Sequence, residues 1–188
     1  SYLSRENHVI MLDVYEPQVE NINKNGITVL EEDGSQQHFT NVRAMKSGTC
    51  KEVADLVIVF VKSTHTESSL EENKELFGEN TLVMTLQNGA GNDRKIAKYV
   101  KKENIIIGTS KHNSVNMGNG TIRHSGTGVT TIGSNLKENS NLEKICRLLT
   151  EAGFSAAISD DIQRIIWSKL FVNLSINTFT AITQSPIC

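Results

Sequence analysis

Short apolar runs alternate with helix-like segments along the first 110 residues of the chain. The runs 9–12, 55–61, 81–86 and 105–107 are mostly apolar on both faces, which is typical of strands buried in a parallel sheet. Strands that alternate with helices predict βαβ units. The hydrophobic pattern therefore predicts an α/β fold with a doubly wound, mostly parallel sheet.

The helix-like segments are defined mainly by where they stop. Glycine after an amphipathic segment favours a helix end, because glycine adopts the left-handed conformation of a C-cap at little cost. The predicted helices are 16–25 before Gly26, 64–77 before Gly78, 93–100, and 141–152 before Gly153. Gly108 is expected to close the strand 105–107 in the same way.

The pattern changes between residues 118 and 133, which are rich in Gly, Thr and Ser. Two short strand-like runs, 121–124 and 129–132, flank the segment Ser-Gly-Thr-Gly at 125–128. A glycine-rich turn between two such runs predicts an antiparallel hairpin at a sheet edge.

The last segment reads as one long helix from Asp160 onward, with acidic residues suited to its N-terminus. Its surface is apolar nearly all round, which predicts a buried helix. Lys169, Asn173 and Asn177 follow one another at spacings of four, and so form one polar stripe about 12 Å long. A buried ammonium with two amides indicates either a polar ligand or a lysine paired with a carboxylate elsewhere in the chain.

Composition narrows the class of protein. The chain has 188 residues, 38% hydrophobic and 21% charged, with a formal net charge of −2, so we expect no nucleic-acid partner. We predict no membrane span, since no apolar run approaches roughly 18 residues. The three cysteines form no C-x-x-C pair and the five histidines lack helical metal spacing, so no disulfide framework and no metal site is expected. These features favour a cytoplasmic protein.

The glycine-rich phosphate turn of a Rossmann-like fold has no counterpart here. Gly89-Ala90-Gly91 follows a later strand, and no third glycine stands at the G-x-G-x-x-G spacing. Residues 1–8 resemble the tail of a helix. We therefore expect a nucleotide-binding domain over 1–158 that lacks its first strand in this chain, and the start of a helical substrate domain over 159–188.

Several motifs together resemble the ketopantoate reductase family. The most specific is the helix segment Ile166-Trp167-Ser168-Lys169-Leu170 followed by Val172-Asn173-Leu174 and 176–182. Segment 86–92 (Leu-Gln-Asn-Gly-Ala-Gly-Asn) is similar to the family's strand-end motif near the nicotinamide, and 61–63 and 108–112 match in order and spacing. The resemblance runs the whole length of the chain and ends where the family continues into further helices.

The resemblance implies a role for each matching residue. Lys169 would protonate the ketone oxygen while hydride reaches the carbon. Asn173 and Asn177 would hold the substrate, and Asn88 would lie between substrate and cofactor. Lys62 and, more loosely, Ser114 match cofactor contacts. Without the resemblance, Asn88-Gly89 reads equally as a turn, Lys62 as a solvated lysine, and His112 as a satisfied structural histidine.

Two departures from the family pattern bear on the cofactor and the substrate. The family's NADP-binding arginine is replaced by Val14, preceded by Asp13, and a carboxylate at this strand end favours the ribose hydroxyls of NAD. NADP is thus the family default, while Asp13 favours NAD. A family substrate asparagine is replaced by Ile187, which leaves the keto acid open.

Three functions follow as expectations. The first is NAD(P)H-dependent reduction of 2-dehydropantoate, a branched 2-keto acid, to pantoate in pantothenate biosynthesis. The second is a D-2-hydroxyacid dehydrogenase of the same family. The third, from another class, is a non-catalytic nucleotide-binding fragment. The expected partner is a small-molecule 2-keto acid, and association into a homodimer is left open.

Overall fold

A computed structural model describes residues 1–184 of the chain, and Ile187 lies outside this range. Within residues 1–184 the chain forms the following strands and α-helices, joined by turns and short 3-10 segments. The strands are β1 (Val9–Asp13), β2 (Ile27–Leu30), β3 (Gln36–Phe39), β4 (Val42–Lys46), β5 (Leu56–Val59), β6 (Leu82–Thr85), β7 (Ile105–Ser110), β8 (Asn113–Gly118), β9 (Thr121–Gly126), β10 (Thr130–Gly133) and β11 (Ala156–Ile158). The helices are α1 (Glu16–Asn25), α2 (Thr66–Glu72), α3 (Asn92–Ile96), α4 (Asn141–Glu151) and α5 (Ile162–Thr183).

The largest sheet has five strands in the order β11-β10-β7-β6-β5. Strands β5, β6 and β7 are parallel to one another, with Ile58 opposite Met84 and Met84 opposite Ile106. Strand β10 runs antiparallel to β7, and β11 pairs parallel with β10. The predicted α/β fold with a mostly parallel sheet is confirmed by this five-stranded sheet.

Helices cover both faces of the five-stranded sheet. On one face Met84, Ile106 and Ile132 pack against Ile145 of α4. On the other face Val83, Ile105 and Ile107 pack with Leu70 of α2, Ile96 of α3 and Ile162 of α5. Alternate residues of β6 and β7 therefore face opposite layers, which explains why these strands are apolar at successive positions.

The remaining strands form two smaller sheets. Strands β1 and β4 make a parallel pair in which Met11 lies opposite Ala44. Strands β3, β2, β9 and β8 form a mixed sheet in that order. The sequence reading missed β2, β3, β4, β8 and β11. Among these, β3 carries the polar run Gln-Gln-His at 36–38, which has no apolar pattern.

Strand β5 is the edge of the five-stranded sheet. Its first three residues are only half-buried, whereas all four of β6 are buried. The strand also ends at Val59, and Phe60 is 68% exposed. Within residues 1–184 only β6 pairs with β5. The apolar run of β5 is typical of an interior strand, but β5 has a neighbouring strand on one side only.

The predicted hairpin of 121–124 with 129–132 is wrong. Strand β9 pairs with β8 and β2, while β10 pairs with β7 and β11 in a different sheet. The tight turn lies instead at Asn119-Gly120, between β8 and β9, where both residues have positive φ, 50° and 73°. This is the geometry that hairpin turns favour, and the Asn-Gly dipeptide was its sequence signal.

Two helix predictions and the predicted strand end at Gly108 also need correction. The segment 64–77 divides into 3-10 turns on either side of α2, since the Asn73 side chain bonds to the Ser69 carbonyl and to Ser47 Oγ. Helix α3 ends at Ile96 rather than at residue 100.

Strand β7 continues through Gly108, where a Cβ would lie 2.5 Å from the Thr131 carbonyl oxygen of β10. Helix α1 has the predicted extent, whereas α4 ends at Glu151, one residue before its predicted end. Gly26 and Gly153, which follow the two helix ends, have positive φ.

Helix α5 begins as predicted, with Asp161 Oδ1 accepting a hydrogen bond from the Arg164 amide at 3.1 Å. Its predicted burial is wrong beyond the first turns, because a 22-residue helix is about 33 Å long and packs mainly against β7 and β10 near its start. The exposed large apolar side chains of α5 are Trp167, Phe171, Val172, Leu174, Ile176, Phe179 and Ile182. By length and composition alone α5 could also cross a membrane, a test that the core helix of a soluble protein passes equally.

Candidate active site

The carboxyl ends of β5, β6 and β7 meet at one edge of the five-stranded sheet, where α/β proteins bind their ligands. The loop between β6 and α3 and the first turns of α5 lie at the same edge. A cleft there is lined by Thr85, Gln87, the glycines at 89, 91 and 108, Gln163 and Ile166, among others. The predicted residues Lys62, Asn88 and Lys169 all belong to the elements that form this edge.

Lys169 reaches from α5 to the end of β7. Its Nζ donates hydrogen bonds to Thr109 Oγ1 at 2.8 Å and to the Ser110 carbonyl at 2.9 Å. The side chain is half-buried, and burial, followed by the charge of Lys111, lowers the pKa of Lys169 below its ordinary value. Within residues 1–184 Lys169 forms no ion pair, so no described carboxylate neutralises its charge. A partly desolvated ammonium held by neutral oxygens is a competent proton donor.

Asn173 and Asn177 lie one and two turns farther along α5 than Lys169. Asn173 is half-buried and Asn177 is exposed. Neither amide side chain forms a hydrogen bond with residues 1–184. The stripe is therefore less buried within residues 1–184 than predicted, because Lys169 and Asn173 are half-buried whereas Asn177 is exposed.

The loop after β6 has an open backbone. Gly89 and Gly91 have φ of 94° and 86°, and nothing lies within 4 Å of where a Cβ would stand on either residue. Asn88 is exposed at the start of this loop. A glycine-rich loop of this kind lets a ligand approach the backbone closely.

Gln87 joins the two loops that carry Asn88 and Lys62, and the sequence reading gave it no role. Its Nε2 donates to the Val61 carbonyl and, at 3.0 Å, to Thr66 Oγ1. Its Oε1 accepts from Thr85 Oγ1 at 2.9 Å. Lys62 itself is exposed and forms no side-chain hydrogen bond within residues 1–184. Gln87 thus sets the backbone next to Lys62 relative to the end of β6.

Asp13 and Ser114 lie outside this edge. Asp13 is the last residue of β1, and its Oδ1 accepts a hydrogen bond from the Tyr15 amide at 2.9 Å, which leaves its second oxygen open. Ser114 is exposed on β8, opposite His124 of β9. The structure therefore brings Lys62, Asn88 and Lys169 to one sheet edge, and holds Asp13 and Ser114 on two other sheets.

His112 and His124 form a second polar cluster close to β7. His112 Nδ1 lies 3.1 Å from His124 Nε2, and His124 Nδ1 lies 2.8 Å from Glu31 Oε2. The other ring nitrogen of His112 is buried without a hydrogen-bonding partner within residues 1–184. His112 is thus only half satisfied, and burial, followed by His124, lowers its pKa.

Comparison with known proteins agrees with this geometry. A sequence profile of the family described as Ketopantoate reductase PanE/ApbA matches residues 1–137. A 2-dehydropantoate 2-reductase from Halobacterium salinarum is 31% identical over 95% of this chain, which spans 59% of that protein's length.

Solved structures show the same fold. The chain superposes on D-mandelate dehydrogenase with NADH and anilino(oxo)acetate with a TM-score of 0.89 at 26% identity, covering 97% of this chain and 59% of that one. It superposes on 2-dehydropantoate 2-reductase from Geobacter metallireducens with a TM-score of 0.88 at 29% identity, covering 98% of this chain and 61% of that one. The chain therefore shares a Rossmann-like α/β fold with proteins considerably longer than itself.

Proposed function

This chain belongs to the ketopantoate reductase PanE/ApbA family, and from that premise we propose that the full-length protein acts as a 2-dehydropantoate 2-reductase. The reaction transfers hydride from NAD(P)H to the carbonyl carbon of a branched 2-keto acid. The observation that supports this most is the placement of Lys169 Nζ at the carboxyl end of β7, on two neutral oxygen acceptors. The proposal includes a cytoplasmic location and a place in pantothenate biosynthesis.

Lys169 supplies what the ketone oxygen needs during reduction. Hydride addition turns the carbonyl oxygen into an alkoxide, and a positioned ammonium both stabilises that charge and donates a proton to it. The lowered pKa of Lys169 favours this step, because it brings the donor closer to the working pH. Lys169 is in our proposal the catalytic acid.

The other residues bind and orient. Asn173 and Asn177 do not titrate, and their unpaired amides suit hydrogen bonding to the polar groups of a keto acid. A bound nicotinamide would supply the hydride, and the open backbone at Gly89 and Gly91, exposed Lys62 and Asn88 are features that fit a dinucleotide at this edge. Ser114 is assigned to the cofactor on the resemblance alone, and Asp13 on its place at the end of β1, where a carboxylate favours the ribose hydroxyls of NAD.

A D-2-hydroxyacid dehydrogenase is the second candidate. The observation in its favour is the high structural similarity to a D-mandelate dehydrogenase bound to NADH. Asp13 adds to it, since a carboxylate at this strand end favours NAD. Relative turnover of 2-dehydropantoate and of an aryl 2-keto acid separates the two candidates.

Replacing Lys169 with Ala tests the proposal. We expect turnover of 2-dehydropantoate to fall by ~10²–10⁴-fold, the scale of a lost general acid. Lys24→Ala is a matched control, because Lys24 is an exposed lysine on α1 without a side-chain partner within residues 1–184. Steady-state oxidation of NADPH and NADH, followed at 2-dehydropantoate saturation, measures the effect.

Two outcomes would count against the proposal. If Lys169→Ala retained turnover within threefold of the parent, the lysine would not be the acid. If the parent bound NAD(P)H but reduced no 2-keto acid, the chain would be the non-catalytic nucleotide-binding protein considered as the third function.

A further inference from the structure

Lys111 directly follows β7, beside the acceptors of Lys169. Its amide donates to the Val129 carbonyl at 3.2 Å, which fixes the backbone against the segment that leads into β10. A Cβ on Gly128 would lie 2.5 Å from the Lys111 Cβ, so only glycine permits this approach. The backbone and Cβ of Lys111 are therefore held in place, while Lys111 as a whole is exposed.

Lys111 and Lys169 are two cations that the described residues 1–184 leave without an ion-pair partner. Lys169 Nζ donates to the carbonyl of Ser110 at 2.9 Å, and Ser110 directly precedes Lys111, so both lysines lie at the end of β7. Burial, followed by the charge of Lys111, lowers the pKa of Lys169. Within residues 1–184 neither lysine takes part in an ion pair, and Lys111 Nζ has no hydrogen-bonding partner. The nearest other titratable group along the chain is His112, whose lowered pKa keeps it neutral at pH 7.

Two like charges at one protein edge favour binding of an anion there. We propose that Lys111 binds the carboxylate of the 2-keto acid and thereby selects acids over neutral ketones. The inference rests on the proposed function, which it deepens by assigning the recognition of the acid group.

The chemistry of a 2-keto acid matches two separate ammonium groups. Its carboxylate carbon is bonded directly to the carbonyl carbon, so a cation that holds the carboxylate brings the ketone oxygen to a second cation nearby. Lys111 then anchors and Lys169 donates the proton. Lysine suits the anchoring role, because its ammonium forms strong charge-assisted hydrogen bonds with carboxylates.

Lys111→Gln tests the anchoring role, with Lys111→Arg as the conservative variant and Lys24→Gln as the control for loss of one charge. We expect Lys111→Gln to raise KM for 2-dehydropantoate about tenfold, while kcat changes by less than about threefold. Lys111→Arg should restore most of the parent KM. The parent should prefer 2-dehydropantoate over its methyl ester, and Lys111→Gln should reduce that preference.

A second measurement does not need turnover. After ¹³C reductive methylation of the lysines, an NMR titration should show a higher Lys169 pKa in Lys111→Gln than in the parent or in Lys24→Gln. Added 2-dehydropantoate should shift the Lys111 resonance of the parent.

The two proposals fail in different ways. A parent that reduces 2-dehydropantoate while Lys111→Gln leaves KM, ester discrimination and the Lys169 pKa unchanged overturns the role of Lys111 alone. A parent that binds 2-dehydropantoate at Lys111 but never reduces it overturns the proposed function and leaves the anchoring role standing.

Discussion

At the scale of single residues, the contacts of Lys169 decide its chemistry. A lysine paired with a carboxylate would have its charged form stabilised and its pKa raised. Thr109 Oγ1 and the Ser110 carbonyl instead orient the ammonium without neutralising it, while burial lowers its pKa. The same spacing of polar residues in the sequence is compatible with either arrangement, and only the neighbours across the fold distinguish them.

Asp13 carries a prediction about the cofactor. A carboxylate close to the 2′-phosphate of NADP faces like charge, which at ~4 Å costs on the order of 1–4 kcal/mol per charge pair. We expect the parent to use NADH at least as well as NADPH, and Asp13→Ala to shift the ratio of kcat/KM towards NADPH. Asp33→Ala, in the exposed turn between β2 and β3, should leave the ratio unchanged. A parent with a strong NADPH preference would contradict this role.

His112 predicts a pH dependence of stability. Burial and His124 lower the pKa of His112, so the folded state binds fewer protons than the unfolded chain. The resulting stability is fully present above the unfolded pKa of about 6.5 and is lost as the pH falls from there towards the lowered pKa. Urea unfolding between about pH 5 and 8 should show a smaller loss in His112→Gln than in the parent. His8→Gln, at an exposed site, should behave as the parent, and an unchanged profile in His112→Gln would contradict the prediction.

At the scale of elements, the β8–β9 hairpin depends on one glycine. Gly120 has φ of 73°, and a Cβ there would lie 2.9 Å from the Gly26 carbonyl oxygen. We expect Gly120→Ala to lower the free energy of unfolding by at least about 1–3 kcal/mol, the cost of the left-handed conformation, with the clash in addition.

Gly34 is the matched control for that prediction. It also has positive φ, 85°, but nothing lies within 4 Å of its Cβ position. Gly34→Ala should therefore show the conformational cost alone in the same denaturation experiment. Equal losses for the two variants would mean that the contact with Gly26 is relieved by a small backbone shift.

The hydrophobic pattern of α5 predicts that the segment is a helix, but it does not predict which other elements cover it. Its apolar circumference identifies a helix that is stable when covered, and its capping Asp161 identifies its start. Burial, however, is a relation between elements. Within residues 1–184 the side of α5 that carries Phe171 is not covered, and Phe171 is 62% exposed.

At the scale of the whole molecule, Phe154 connects the parts of the chain. Its ring lies 5.5 Å from the ring of Tyr2 and 5.4 Å from that of His112, and it packs against the core cluster of α4. Phe154→Ala should lower the free energy of unfolding by about 2–4 kcal/mol, towards the lower end for a phenylalanine because the ring is half-buried. Phe171→Ala, on the exposed surface of α5, should change it by less than about 0.5 kcal/mol. If Phe154→Ala and Phe171→Ala lost similar amounts of stability in chemical denaturation, Phe154 would not connect Tyr2 and His112 to the α4 cluster.

Local patterns in the sequence determined the elements of the central body. The apolar runs of β6 and β7, the glycine ends of α1 and α4, and the start of α5 follow from periodicity and capping, which depend on neighbours within a few residues. Their alternation was enough to predict the parallel α/β fold. The motifs around Asn88 and Lys169 were enough to indicate the family, which the profile match to residues 1–137 confirms.

Only the tertiary structure decided which distant segments meet. Residues 129–132 pair with β7 and β11 rather than with β9, because strand pairing is set by register and packing between segments far apart in the chain. For the same reason the sequence could show neither the hydrogen bonds of Gln87 to the β5–α2 segment nor the two lysines at the end of β7. Secondary structure follows from local chemistry, whereas the charge, burial and partners of a site depend on contacts that form only when the chain folds.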